Sequence, residues 1–571
     1  MTSKAGKAAG WLIVIMLIAG VSFLAAKNII PVTGYDISVE RGDLVFSGER
    51  AYELAAGFAT RFTYRHSGTA NNRESALWTS QKFAALGYET ELDEFSANLY
   101  GRSTPLQNVV AVEPGRSPEA IVIVAHLDQA RTTVQGADND ASGMGIMLHL
   151  AEIFQKIDIR YTLIFIATDA EELGMLGAKH FNENHSLSGR VKAAISLDNV
   201  GRYNAEGMHI AAMGQKSGYT PLWLAVLTQD TAQKIGVWRP TFLDPVTQVM
   251  ERSILLSFTD QGPFLTRGIP AFDFGVTSDR PFYHTPEDTV DKISPGTIGQ
   301  VGLLTEALIR ELGQYEVFPQ FPEPYLYFDN ENDSTYLPGT YLKLVAFALL
   351  LPFFWLTILT WRGRRQRMDS FSVQLVNVIL NALPLLGGLL FLYLAAVVNL
   401  ILRFDYYPAP PKDPALFEIS WAAFVLFLLV IALLILLTRW LKKKIPAAKV
   451  QGRLAALTVL SILALLVFLK NPFSLLFLLP VLYFWPLISP HSSLFGKLMN
   501  LIFFLLGGSV LLYFLYLYSF QIFVGWYMSW YFLQMLAFKM IAYHAAIAGI
   551  AAIAAGITLL EERKAVAWGG L

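Results

Sequence analysis

The chain has 571 residues, more than one domain usually holds, and 44 Lys and Arg against 45 Asp and Glu leave a net charge of −1. Such a balance offers no strong basic field, so no nucleic-acid partner is expected. Cysteine is absent, which excludes disulfides and thiolate ligands and restricts any metal site to nitrogen and oxygen donors.

Lys4 and Lys7 precede an apolar segment from Trp11 to Ala26. It reads as an uncleaved membrane anchor rather than a signal peptide, with its positive start left in the cytoplasm. Residues 1–27 are assigned to this anchor, and 28–318 to a domain of ordinary soluble composition.

Within that domain, Glu49 to Phe62 and Ser75 to Leu86 read as helices. Tyr88 to Phe95 and Gln107 to Val112 read as strands. Ile121 to Ala125 is short and fully apolar, the pattern of a strand buried on both faces. Gly145 to Ile157 reads as a helix, and Tyr161 to Ala167 as the next apolar strand. A helix is expected after Glu171-Glu172, then a third apolar strand from Ala193 to Leu197. Met208 to Met213, Pro221 to Ile235, Pro270 to Phe274 and Thr297 to Leu312 continue the alternation. The expected fold is α/β, a mostly parallel mixed sheet flanked by helices.

Residues 319–338 form a proline- and acid-rich linker, and 339–571 a membrane domain of about seven helices. The candidate spans are Tyr341–Trp361, Val373–Leu402, Ile419–Leu437, Leu454–Leu469, Ser474–Ile488, Leu498–Tyr518 and Ile541–Leu560. With the anchor counted first, Arg362 to Arg367, Lys442 to Lys444, Lys497 and Arg563-Lys564 all follow even-numbered spans. The positive-inside rule then puts both termini in the cytoplasm, and the soluble domain in the periplasm, the cell exterior or a lumen.

Three of the apolar strands deliver ionisable residues at their ends: His126 and Asp128, Glu171 and Glu172, and Asp198. Neighbouring strand ends of a parallel sheet meet in one crevice. The loop PFYHTPEDTVDKI adds His284, and the loop before the first helix of this group adds Asp138, Asn139 and Asp140. Two histidines with several carboxylates suit zinc, as one ion or as a pair bridged by a carboxylate. One of the paired glutamates would then be free to act as a general base.

The motifs AHLD, GADNDASG, TDAEELGMLG, SLDNVG and FYHTPEDT occur in this order. In them the chain resembles the co-catalytic zinc aminopeptidases and carboxypeptidases, over about Glu49 to Leu312. Its layout is similar to the membrane-spanning branch, the endoplasmic-reticulum metallopeptidases. The resemblance implies a zinc exopeptidase fold, hydrolysis of peptide N-termini and two zinc ions. It implies that His126 and Asp198 hold one ion and Glu172 and His284 the other. Glu171 would be the general base, and Asp128 would orient His126.

One position departs from the family. Where its pattern has a bridging aspartate, this chain has Asn139, flanked by Asp138 and Asp140. A neutral amide bridges two dications poorly. Either aspartate is a candidate ligand, with Asp140 slightly favoured because the ASG turn follows it. The alternatives are one zinc ion or a site without catalysis. Rival functions are a non-catalytic receptor or assembly module, and a zinc-dependent glutaminyl-cyclase-like enzyme. His66, His149, His180, His185 and His209 match no ligand position and read as structural; Asp260 reads as a residue near the site.

Overall fold

In the computed structural model, the described residues are 4–99, 102–215, 217–254, 257–319, 324–330, 333–363, 371–401, 419–445, 452–488, 493–517, 529–530, 533–534 and 543–561. Two compact units are present, and residues 30–336 form the one that carries the chemistry.

Helix α1 (Lys4–Lys27) comes first, followed by β1 (Ile30–Pro31), α2 (Gly48–Arg61) and α3 (Ala70–Ala85). Then come β2 (Glu89–Leu99), β3 (Arg102–Glu113), β4 (Ser117–His126), α4 (Ser142–Phe154), β5 (Tyr161–Thr168), α5 (Leu176–Asn184) and β6 (Val191–Leu197). The unit continues with β7 (Gly207–Ala211), α6 (Leu222–Ile235), α7 (Pro245–Ile254), α8 (Gln261–Thr266), β8 (Ala271–Thr277) and α9 (Pro295–Leu312). Two short strands, β9 (Tyr325–Phe328) and β10 (Thr335–Pro338), join β1 in a small three-stranded sheet.

Among the described residues the main sheet has seven strands in the order β2-β3-β5-β4-β6-β8-β7. Strands β5, β4, β6 and β8 run parallel to their neighbours in this set, while β2, β3 and β7 add antiparallel edges. The sheet is therefore mixed around a parallel centre. Its central strands are the apolar runs, as burial on both faces requires: Ile121 to Val124 and Leu163 to Ala167 have no exposed surface. The residues 126, 168, 197 and 277 end these four parallel strands, so the loops that leave them share one rim.

A cap corrects one helix start. Helix α3 begins at Ala70 rather than Ser75, because Thr69 accepts the Asn72 amide and the polar first turn ANNRE is already helical. Helix α5 follows Glu171-Glu172 as expected, and begins at Leu176. Residues 171–175 are taken up by a tight turn, in which the Gly174 and Met175 amides both donate to the Glu171 carbonyl at 2.8 Å. Helices α7 and α8 and the small sheet were not expected from the sequence.

The second unit contains α1 and the helices after residue 337. These are α10 (Gly339–Gly363), α11 (Phe371–Val397), α12 (Trp421–Lys444), α13 (Arg453–Lys470), α14 (Leu475–Phe484), α15 (Leu494–Gly507), α16 (Ser509–Tyr516) and α17 (Tyr543–Glu561). Among the described residues, five helices are long and apolar enough to cross a bilayer: α1, α10, α11, α12 and α13. The pair α15 and α16 makes a sixth if it is counted as one span bent by 61°. The segments Pro472–Leu487 and Ala546–Glu561 are apolar but shorter. Proline explains part of this: Pro480 and Pro486 each remove a helical donor in the first of these segments. Arg364 to Arg367, Arg563 and Lys564 lie outside the described residues. Small residues allow close packing here, since Trp485 lies so near Gly507 and Gly556 that neither position has room for a Cβ.

Candidate metal centre

The rim of the sheet gathers the residues that the strand ends deliver. His126, at the end of β4, is buried, with Nε2 3.6 Å from Asp198 Oδ1 and 4.0 Å from Glu171 Oε2. Its Nδ1 faces Asp128, 3.1 Å from the backbone oxygen and 3.3 Å from Oδ1. A donor bond from Nδ1 to Asp128 leaves the Nε2 lone pair directed into the site.

Asp128 also binds the next strand end. It accepts the backbone amides of Glu171 at 3.0 Å and Glu172 at 3.2 Å, and the Ser67 hydroxyl at 3.0 Å. On the far side, His284 Nε2 lies 3.2 Å from Glu172 Oε1, and the Tyr283 ring stacks on the His284 ring at 3.7 Å. Ala170, Asn199 and His284 itself adopt positive φ, between 55° and 59°. A side chain at such a φ is strained, and all three positions lie in or beside the site, where strain of this kind is commonly retained.

The loop 137–141 settles against this rim. The Asp288 carboxylate accepts the Asp138 amide at 2.8 Å and the Asn139 amide at 3.2 Å. The Asp138 side chain is turned outward to the Gly201 amide at 2.9 Å and the Arg202 guanidinium at 3.5 Å. Asp140 accepts the His126 amide at 3.0 Å and the Gly143 amide at 3.1 Å. Asn139 points to the centre. Its Oδ1 is 2.8 Å from His126 Nε2, and its Nδ2 is 2.6 Å from Glu172 Oε1 and 3.1 Å from His284 Nε2.

Two groups of ligand atoms lie close enough together to hold a cation among the described residues. They are His126 with Glu171 and Glu172, and His126 with Asp140 and Asp198. His284 is joined to the first group through Glu172 and Asn139. Asp138, a candidate ligand in the sequence, falls in neither group. Its oxygens face a guanidinium and an amide, which already satisfy its charge.

The electrostatics of the site favour a positive charge beside His126. Burial alone would favour neutral His126, yet the carboxylates of Asp140, Asp128, Asp198 and Glu171 outweigh it and hold its pKa well above the usual histidine range. Burial pushes the Glu171 carboxyl well up, against the pull of His126 and with the help of Asp198 and Glu172. Asp140 is raised well above the carboxylate range, again mainly by burial. Glu171 Oε1 is buried without a hydrogen-bond partner. Orphaned carboxylate oxygen next to imidazole nitrogen is a donor set that fits a divalent cation such as zinc.

Several contributing residues escaped sequence reading. Arg65 is fully buried, and its guanidinium binds the carbonyls of Leu127, Gln135 and Gly136 and the Gln129 side chain. Nothing local to Arg65 distinguishes it in sequence. Asp288 does carry a signal, because it lies inside FYHTPEDT, four residues after His284. Asp260, which the sequence places near the site, accepts the Thr168 hydroxyl at 2.5 Å at the end of β5, and burial raises its pKa to about 7.

Fold and site together define a candidate metal centre at the rim of a mixed α/β sheet. Residues 108–309 match the family model of Peptidase family M28, and this segment of the chain is a Peptidase family M28 domain. Aminopeptidase YwaD of Bacillus subtilis is 29% identical over 252 residues, which cover 42% of this chain and 50% of the relative. The alkaline phosphatase isozyme conversion protein of Escherichia coli is 30% identical over 177 residues, covering 27% and 51%. A vacuolar membrane protease of Vanderwaltozyma polyspora is 26% identical over 251 residues, covering 43% and 25%. The chain thus spans about half or less of the length of these relatives.

Proposed function

We propose that the chain is a membrane-anchored zinc-dependent exopeptidase of the aminopeptidase type, acting on peptide N-termini. The observation that carries this reading is the convergence of His126, Asp198, Glu171, Glu172 and His284 around one buried point at the strand ends. The M28 domain and its peptidase relatives support the same class of chemistry.

His126 and Asp198, with Asp140 and the Asn139 oxygen beside them, are the residues that would hold zinc, and Glu172 and His284 are the remaining donors gathered at the site. Zinc bound there supplies Lewis acidity, which polarises a peptide carbonyl and makes water nucleophilic near neutral pH. Glu171 supplies the base. Its free Oε1 takes a proton from the attacking water as the oxygen adds to the carbonyl carbon. The same carboxyl then returns that proton to the leaving nitrogen as the C–N bond breaks. Its burial suits both steps, because a raised pKa lets one group serve as base and then as acid. Asp128 fixes the His126 ring and the backbone of both glutamates, so nitrogen and carboxylates keep their spacing.

The reading is tested by incubating the purified, zinc-loaded chain with aminoacyl reporters. Hydrolysis should fall by about 10²–10⁴ in Glu171→Gln while bound zinc is retained. Absence of cleavage by a folded, zinc-loaded wild type would sink it.

For topology, we propose both termini in the cytoplasm and the peptidase domain outside it. Arg362, Lys442 to Lys444 and Arg453 support this, lying at helix ends that the alternation assigns to the cytoplasm. A reporter fused after Arg367 should be cytoplasmic, and detection outside would reverse the assignment.

A further inference from the structure

The Asn139 amide divides the centre into two unequal halves. On one side its carbonyl oxygen lies 2.8 Å from His126 Nε2, and Asp198 Oδ1 lies 3.6 Å from that nitrogen. Asp140 belongs to the same half, since it groups with His126 and Asp198. On the other side the amide nitrogen lies 2.6 Å from Glu172 Oε1 and 3.1 Å from His284 Nε2. An amide oxygen carries lone pairs and can face a cation. An amide NH2 presents only hydrogens.

Rotating the amide by half a turn exchanges the two halves but never supplies oxygen to both. A carboxylate at this position would do so, and would also place negative charge between two cations. The neighbouring aspartates do not make up the deficit. Asp138 is turned to Gly201 and Arg202, and both Asp140 oxygens are held by backbone amides on the His126 side.

We infer that this centre holds a single divalent cation, on the side of His126, Asp198 and the Asn139 oxygen. Glu172 and His284 are then held by the NH2 of Asn139, in the place a second cation would need. The inference rests on the zinc-peptidase reading above and specifies its metal content. It also gives the two histidines different roles. His126 is a ligand of the bound ion, and His284 contacts Glu172 without binding metal.

The test is metal content, measured by mass spectrometry on the full chain purified in detergent and dialysed against buffered micromolar zinc. The wild type should hold one zinc per chain and Asn139→Asp two. His284→Ala should keep its one ion, whereas His126→Ala should lose it. Two zinc ions in the wild type would overturn the inference and leave the peptidase reading standing. One ion in both wild type and Asn139→Asp would overturn the role given to Asn139. Loss of the ion in His284→Ala with retention in His126→Ala would overturn its placement, even if Asn139→Asp fails to fold. No zinc in the wild type would overturn the inference and the zinc-dependent reading together. Zinc at the expected content without aminoacyl hydrolysis would overturn only the peptidase reading.

Discussion

The Asp128 carboxylate, two residues beyond the end of β4, accepts the backbone amide of Glu171 at 3.0 Å, three residues beyond the end of β5. That bond ties two adjacent strand ends into one rigid edge. The same carboxylate holds the His126 ring, so the proposed ligand and the proposed base are set by one group.

Asp128→Asn should therefore weaken zinc and activity together. The amide keeps one acceptor atom but loses the charge that supports the imidazole, and loss of such an outer partner typically costs about 10–100-fold. Chelator competition gives the affinity and reporter hydrolysis gives the rate. A variant with wild-type zinc affinity would show that Asp128 does not act through His126.

Asp288 anchors the loop that carries Asn139, by accepting two of its backbone amides. In Asp288→Ala those buried donors lose their acceptor, at a cost of about 1–3 kcal/mol each. The expected result is a lower thermal midpoint for the soluble unit together with reduced zinc affinity. An unchanged midpoint would mean that water or another group takes over the role.

Zinc removal should be felt by the fold as well as by the reaction. Asp140, Glu171 and Asp198 crowd around His126, and burial pushes the Asp140 and Glu171 carboxyls well up, so a bound cation would relieve this crowding. Chelation should lower the unfolding temperature, and zinc at about a thousand times its dissociation constant should restore about 4 kcal/mol. Identical melting curves with and without chelator would contradict a metal bound among these residues.

Acid should destabilise the soluble unit through His209 on β7. Burial, with Arg280 and Arg202 nearby, lowers its pKa to about 4. Its ring lies against Gly275 on β8, where an added Cβ would collide with it. In the unfolded chain the ring titrates near 6.5, so on acidification the unfolded state takes up the proton first. Stability is complete above that pH and is lost as pH falls toward 4. The loss is at most about 3 kcal/mol, and smaller to the extent that water reaches the ring. His209→Gln should flatten this part of the acid-unfolding curve, and an unchanged slope would assign the sensitivity to other groups.

The sequence by itself determined the parallel centre of the sheet, because strands buried on both faces must be apolar throughout. Ile121 to Ala125, Tyr161 to Ala167 and Ala193 to Leu197 are legible for that reason. It also determined which residues meet, since parallel strands end on one rim and bring His126, Glu171 and Asp198 together. Tertiary structure alone decided which way the loop 137–141 faces. Asp138, Asn139 and Asp140 are equally polar and adjacent, and no periodicity separates them. The choice is made by partners distant in sequence: Asp288 for the backbone, Arg202 and Gly201 for the Asp138 carboxylate, and the His126 amide for Asp140. These contacts turn Asp138 away and hold Asp140 through the backbone. What remains facing the two histidines is the neutral amide of Asn139.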